Sequence, residues 1–347
     1  MVDLIWKRGM ADLHDQLLLF GAEELKARLP KTQRHLVDIA QAAMLDDGSE
    51  ISFLHRGFCH AGLPLRCVDD SPTPWIRTDG LFTLTVRGDE IGYDGLKTMK
   101  VGVPYGPKAR LLTMFVSSEV QDSRRESKNR WIELGRITEW LRAVGVSCSG
   151  GPRGSITATK EQLFRLSFAH FTMTMRATGF AEGDQVWFDR EPLFQGGIFA
   201  AQDFEAWNRH EYAKLSWPKA LLLTQNSYDR LLKQAIPLST ARLRKISDNA
   251  SAMDLFCWMA YRLPKIPLRD KVLVPWAALM QQFGQSGQYV SQFRKAFMPG
   301  LTAALAAYPE ARIDITDEGL VLRHSEPALP RKTQVALSFP LEMPAVP

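Results

Sequence analysis

Long apolar runs are missing from this sequence. Nowhere do about 18 apolar residues stand together, which excludes a membrane-spanning helix. Cysteine is scarce: Cys59, Cys67, Cys148 and Cys257 are the only four in 347 residues. They form no CxxC pair and no disulfide framework. Cys59, His60 and Cys67 lack a fourth ligand nearby, so no zinc site is expected. The seven histidines stand at positions 14, 35, 55, 60, 170, 210 and 324. No two are one residue apart, the spacing by which a rolling-circle nickase holds its metal. HExxH, GxSxG and GxxxxGK[ST] are also absent, which argues against zinc-protease, serine-hydrolase and P-loop chemistry. No catalytic residue, metal or cofactor is therefore expected. A metal-dependent nickase built from carboxylates distant in sequence is the remote alternative. The stretch MVDLIWKRGMADLHDQ has the form of neither a signal nor a transit peptide, and a bacterial cytoplasmic protein is the expectation.

Acidic residues are also scarce, but only locally. Residues 100–176 hold 13 Lys/Arg against 6 Asp/Glu, and residues 237–295 hold 9 against 3. The first 99 residues are acidic instead, with 11 against 15. Two basic blocks in an otherwise acidic chain favour a polyanionic partner more than the overall net charge of +5 does. Apolar content of 45% supports a substantial core, and the length suits two or three domains.

Periodicity gives the order of elements. LHDQLLLFGAEELKARL and RHLVDIAQAAML read as amphipathic helices. PLRCV and LFTLTVRGDEIGYDG read as strands. PKARLLTMFVSSEV, RITEWLRAVGV and TATKEQLFRLSFAH read as three helices, with Thr157 a candidate cap for the third. HFTMTMRATG is a half-exposed strand for which QVWFD and GGIFAAQ are candidate partners. The order then recurs. NASAMDLFCWMAYRL is a helix. VPWAALMQQFG is a second, opened by Pro275 and stopped by Gly284. YVSQFRKAF is a third, kinked or ended at Pro299. RIDITDEGLVLRH is a hairpin with Ile313 and Ile315 opposite Leu320 and Leu322.

Helix, helix, turn, helix, hairpin is the order of a winged helix-turn-helix, here twice. The expected fold class is α+β and helix-rich: two tandem winged helix-turn-helix domains with small sheets or hairpin wings, plus an N-terminal extension of helices and strands. The expected boundaries are 1–99 for the extension, 100–236 and 237–327 for the two domains, and 328–347 for an extended tail.

The stretch QQFGQSGQYVSQFRKAF carries the sharpest functional signal. Val290, Phe293 and Phe297, followed by Leu301 and Leu305, would hold one face on the core. Ser286, Gln288, Ser291, Gln292 and Lys295 gather on the other, with Arg294 beside them and no carboxylate among them. A helix-turn-helix lays the start of its second helix in the major groove, where such side chains read base edges. Gln288, Ser291, Gln292 and Arg294 are the candidates for bases, and Lys295 for base or phosphate. Arg242, Arg244 and Lys245 in STARLRKIS are candidate phosphate clamps. Lys271, Arg323 at the hairpin end and Arg153 in SGGPRGS complete the candidate set. An ordinary solvated polar face is the competing reading.

Three runs carry a resemblance: VGVPYGPKARLLTMFVSSEV, LGRITEWLRAVGVSCSGGPRGSITATKEQLFRL and IPLSTARLRKISDNASAMDLFCWMAYRLPKI. They resemble the plasmid-encoded RepA replication initiators of proteobacteria, with the likeness running from Gly57 to Arg323. It implies two winged-helix domains that bind iterons, directly repeated sites in double-stranded plasmid origin DNA. It implies opening of an AT-rich segment and recruitment of the host initiator and replicative helicase, without nucleotide hydrolysis. It further implies a monomer on iterons and a homodimer on an inverted repeat. The first domain would serve dimerisation and backbone contact, and the second would read sequence. A DNA-binding transcriptional regulator or autorepressor without initiator activity is the alternative.

Overall fold

The structure, a computed structural model, describes residues 11–68, 74–95, 97–123, 129–177, 184–285 and 287–329. The chain opens with three helices: α1 (Ala11–Phe20), α2 (Ala22–Arg28) and α3 (Arg34–Met44). Strand β1 (Ile51–His55) and helix α4 (Arg56–His60) follow, then β2 (Trp75–Asp79), β3 (Phe82–Arg87), β4 (Asp89–Tyr93) and β5 (Lys97–Val101). The next stretch holds α5 (Gly106–Gln121), β6 (Trp131–Glu133), α6 (Ile137–Ala143) and α7 (Ser155–Phe168). It continues with β7 (His170–Ala177), β8 (Gln185–Pro192), β9 (Phe194–Gly197), α8 (Ala201–Asn208) and β10 (Ala220–Leu223). Helix α9 (Gln225–Gln234), strand β11 (Ala235–Ser239) and helix α10 (Thr240–Lys245) lead to the last group. That group is α11 (Ala250–Arg262), β12 (Lys271–Pro275), α12 (Trp276–Phe283), α13 (Val290–Ala306), β13 (Ile313–Ile315) and β14 (Gly319–Arg323).

All strand pairs are antiparallel, in five small sheets. The two three-stranded sheets share one plan. In the last group the strand order is β12-β14-β13, and in the middle group it is β6-β10-β9. Each time a strand precedes two helices, and of the sheet's two later strands the last lies between it and the other, although in the middle group β7 and β8 intervene and join a different sheet. The hairpin register is the expected one, with Ile313 opposite Leu322 and Ile315 opposite Leu320. The alternation of apolar and polar residues dictates it, because a one-residue slip would turn both isoleucines to solvent.

Several expectations are corrected. PLRCV forms no strand: the carbonyls of Leu63 and Pro64 accept from the Arg110 guanidinium at 2.6 and 3.1 Å, and Gly106 N–H also donates to Pro64. GGIFAAQ does not partner β7. Gly196 and Gly197 pair with Leu222 and Leu221, while β7 lies between β3 and β8 in the order β2-β3-β7-β8. Thr157 lies inside α7 rather than capping it, and its hydroxyl donates to the Gly151 carbonyl at 2.7 Å. Pro299 does not end α13, which runs through it. Proline leaves the Lys295 carbonyl without its helical donor, but both residues face solvent, where water replaces that donor. The first 99 residues, expected as an N-terminal extension, share sheets with later strands. Strand β1 pairs with β11, and β3 pairs with β7.

Apolar side chains from nearly every element join in one core cluster. A polar pin crosses it between α5 and α11: Arg110 donates to both Asp254 oxygens at 2.6 Å, with only 5% and 12% of the two side chains exposed. Gly300 lets α13 approach α11, since a β-carbon there would meet Ser251 Oγ at 2.5 Å.

Candidate nucleic-acid interface

Helix α13 divides along its length. Phe293 and Phe297 are 3% exposed, and Leu301 and Leu305 are buried with them. The Phe297 ring meets Phe293, Phe283 and Trp276 at centroid distances of 5.0, 5.8 and 6.0 Å. Those aromatics lock the first turns of α13 onto α12. Trp276 Nε1–H donates to the Thr316 carbonyl at 3.1 Å, tying α12 in turn to the β13–β14 hairpin. The opposite side of α13 is open. Ser291, Gln292 and Lys295 face solvent, with Gln288 and Arg294 half-buried beside them.

The glutamines also shape the turn that presents them. Gln288 Oε1 accepts from Gln285 N–H at 3.1 Å, and Gln292 Oε1 accepts from Tyr289 N–H at 3.3 Å. The second bond satisfies a donor that α13 itself leaves unpaired at its start. Gly287 supplies the left-handed conformation of the turn, with φ of +77°. Ser286 lies outside the described residues. Arg294 sits over the Trp276 ring at 4.9 Å and donates to Asp317 at 3.4 Å. The Asp317 side chain is fully exposed, so this ion pair is a weak one that holds the guanidinium loosely.

The remaining candidates separate into three places. Lys271 and Arg323 are register partners at the end of β12 and β14 away from the hairpin turn, and Arg323 also donates to Asp314 at 2.6 Å. Arg153 is exposed in the turn before α7. Arg242, Arg244 and Lys245 lie on α10, which packs against α3.

Arg242 is a correction. It is 2% exposed, donating to both Glu310 oxygens at 2.7 and 2.9 Å and to Asp46 at 3.0 Å. A guanidinium so enclosed ties α10 to the chain after α13 and has nothing left for a phosphate. Glu310 follows the C-terminal end of α13, a helix of 17 residues whose open face lies at its other end. Arg244 is bonded to Glu50 and to the Ala143 carbonyl. Lys245 is exposed beside a cleft that Arg66 and His35 also line.

Tyr289 escaped the sequence reading, and Val290, expected to hold the core face with Phe293 and Phe297, is a correction. Tyr289 is 75% exposed and Val290 is 40% exposed. Val290 shares the helical face of Phe293 and Phe297, but it stands one turn earlier, beyond the edge of the aromatic cluster. The only signal in the sequence was its position as the first helical residue.

The counterpart of α13 in the middle group is α7, and it is covered. Trp207 of α8 stacks on Phe164 at 4.6 Å, and Phe199 closes in at 5.1 Å. Arg165 is 2% exposed, bonded to Glu161 at 2.9 Å and lying over the Tyr105 and Trp207 rings. No residue of α7 is fully open to solvent. Among the described residues no group of three or more His, Cys, Asp or Glu side chains is placed to hold a metal. No described helix is long and apolar enough to cross a membrane.

No curated protein matches the sequence. Among solved structures, the crystal structure of RctB domains 2 and 3 (residues 155–483) has 15% identity to this chain and a TM-score of 0.42. It covers 71% of this chain and 82% of its own. The selenomethionine derivative of the same two RctB domains has 14% identity and a TM-score of 0.44, covering 70% of this chain and 81% of its own. The family model described as Plasmid encoded RepA protein matches residues 103–276. That span runs from just before α5 to the first residue of α12, half of the chain, and stops short of α13. The chain belongs to the plasmid-encoded RepA protein family.

Proposed function

We propose that the protein is a plasmid replication initiator and that residues 237–327 form a winged helix whose α13 reads duplex DNA. One observation carries this reading. Two groups share the same strand order, yet only the later one presents the start of its third helix to solvent, with Ser291, Gln292 and Lys295 exposed. A carboxylate-free row of amide, hydroxyl and ammonium groups matches the acceptors and donors of the major groove and the charge of the flanking phosphates. Residues 100–236 form the first winged helix, with β9 and β10 as its wing. Its buried α7 suits it to support, backbone contact through Arg153, and self-association.

In this reading Gln288, Ser291, Gln292 and Arg294 meet base edges. Lys295, Lys271 and Arg323 meet phosphates, and Lys245 extends the basic surface at the far end. The protein binds repeated origin sites, promotes opening of the neighbouring duplex and recruits the host initiator and helicase, with no catalytic step of its own. Footprinting the full chain on the DNA flanking its own gene tests this. Protection repeating about every two helical turns is the expected result. A single protected inverted repeat favours a repressor instead, and no protection at low salt overturns the DNA-reading assignment.

A further inference from the structure

Tyr289 and Val290 are apolar side chains left in water at the entrance to α13. Tyr289 is the residue just before the helix and is 75% exposed, and Val290 is its first residue at 40% exposure. Both adjoin Ser291 and Gln292. Three buried rings of the cluster beneath, Phe293, Phe297 and Trp276, are 3–4% exposed, whereas most of Tyr289 and two fifths of Val290 stay outside it. Tyr289 gains little burial energy where it stands, and Val290 only part of what a buried valine would. The bond from Tyr289 N–H to Gln292 fixes the backbone at this point, so the ring is presented from a set position.

The major groove offers one apolar group, the C5-methyl of thymine. Resting on the DNA-reading assignment of α13, we infer that Tyr289 and Val290 form an apolar contact for thymine methyl groups, making them specificity residues beside the polar readers. The recognised sites then carry thymine where the start of α13 enters the groove. Gln292 and Ser291 read neighbouring edges by hydrogen bonds.

The test uses the full chain and the duplex that footprinting identifies. Affinity is measured by fluorescence anisotropy on that duplex, and again with every thymine replaced by uracil, which removes only the methyl groups. Wild type is expected to bind the uracil duplex about fourfold more weakly for each methyl that the two side chains cover, the worth of one buried carbon. A Tyr289→Ala/Val290→Ala variant is expected to bind both duplexes alike, at the weaker level. Tyr289→Phe is expected to keep the wild-type preference, because the ring rather than the hydroxyl meets the methyl group. Tight wild-type binding with no loss on uracil overturns the inference while leaving the DNA-reading assignment standing. So does a Tyr289→Phe variant weakened equally on both duplexes, which marks the hydroxyl as a phosphate ligand. Failure of the wild type to protect any DNA overturns the assignment and the inference together.

Discussion

His55 gives the chain an acid-sensitive joint. It ends β1 and caps α4, with Nδ1 accepting from Gly57 N–H at 3.1 Å. Burial pulls its pKa from 6.5 down to about 3, and the nearby positive charges of Arg230 and Arg56 push the same way. The sign follows from linkage. The folded state holds His55 neutral, whereas the unfolded chain protonates it below about pH 6.5, so its contribution is intact above that pH and is lost as the pH falls toward 3. A depression of this size amounts to about 5 kcal/mol across the whole window, at roughly 1.4 kcal/mol per unit, and to about 2 kcal/mol at pH 5. Against a total stability of about 5–15 kcal/mol that is a large share.

His55→Asn isolates the effect, since an amide oxygen can still accept from Gly57 N–H but does not titrate. Urea unfolding, followed by tryptophan fluorescence between pH 7 and pH 5, gives stability for both proteins. Every other titrating group cancels in the difference. Wild type is expected to lose about 2 kcal/mol more than the variant over that interval. Parallel pH profiles would refute the reasoning and mean that water reaches the ring.

Arg242→Ala is expected to cost about 3–5 kcal/mol of stability, because Asp46 and Glu310 are left without their shared cation; thermal unfolding measures it, and Arg242→Lys recovers little since it cannot span both acids. The double change Gln292→Ala/Arg294→Ala is expected to weaken binding to the protected site by about 1–3 kcal/mol for each base no longer read, beyond the roughly 1 kcal/mol of stability that losing the Gln292 cap on Tyr289 N–H costs. Binding as tight as wild type would show that α13 does not read bases. Lys295→Ala is expected to weaken binding on all sequences alike and to lower the salt slope by about 0.9, seen in titrations at several salt concentrations. Phe164→Ala in the covered α7 is expected to cost about 3–5 kcal/mol in urea unfolding, since the ring supports Trp207, Phe199 and Phe204.

Local pattern was legible in the sequence, and distant pairing was not. The register of Ile313 and Ile315 on Leu322 and Leu320 follows from alternation within one short hairpin. The buried stripe of Phe293, Phe297, Leu301 and Leu305 follows from helical spacing. By contrast, nothing in Ile51–His55 marks Ala235–Ser239 as its partner, because backbone pairing between distant strands leaves no mutual signature in a single sequence. Arg242 misled for the same reason. Its run STARLRKIS is basic, but its acidic partners lie 196 and 68 residues away. Within the candidate interface, the polar row on α13 was readable because it lies in one helix. The exposure of Tyr289 and Val290 was not, since it depends on where the aromatic cluster ends in space.

The contrast between α7 and α13 comes from what each helix carries on its outer side. Phe164, Phe168 and the Glu161–Arg165 pair give α7 an outer face that gains by being covered, and the segment between β9 and β10 contributes Phe199, Phe204 and Trp207 to cover it. The matching connection between β13 and β14 is a tight turn closed by Thr316 and Gly319, too short to fold back over α13. Ser291, Gln292 and Lys295 would lose hydration under such a cover without gaining apolar neighbours. The two frames therefore diverge through one loop length and a few side chains. Substitutions on α7 act on folding, while those of Ser291 and Lys295 on the open side of α13 leave the core intact.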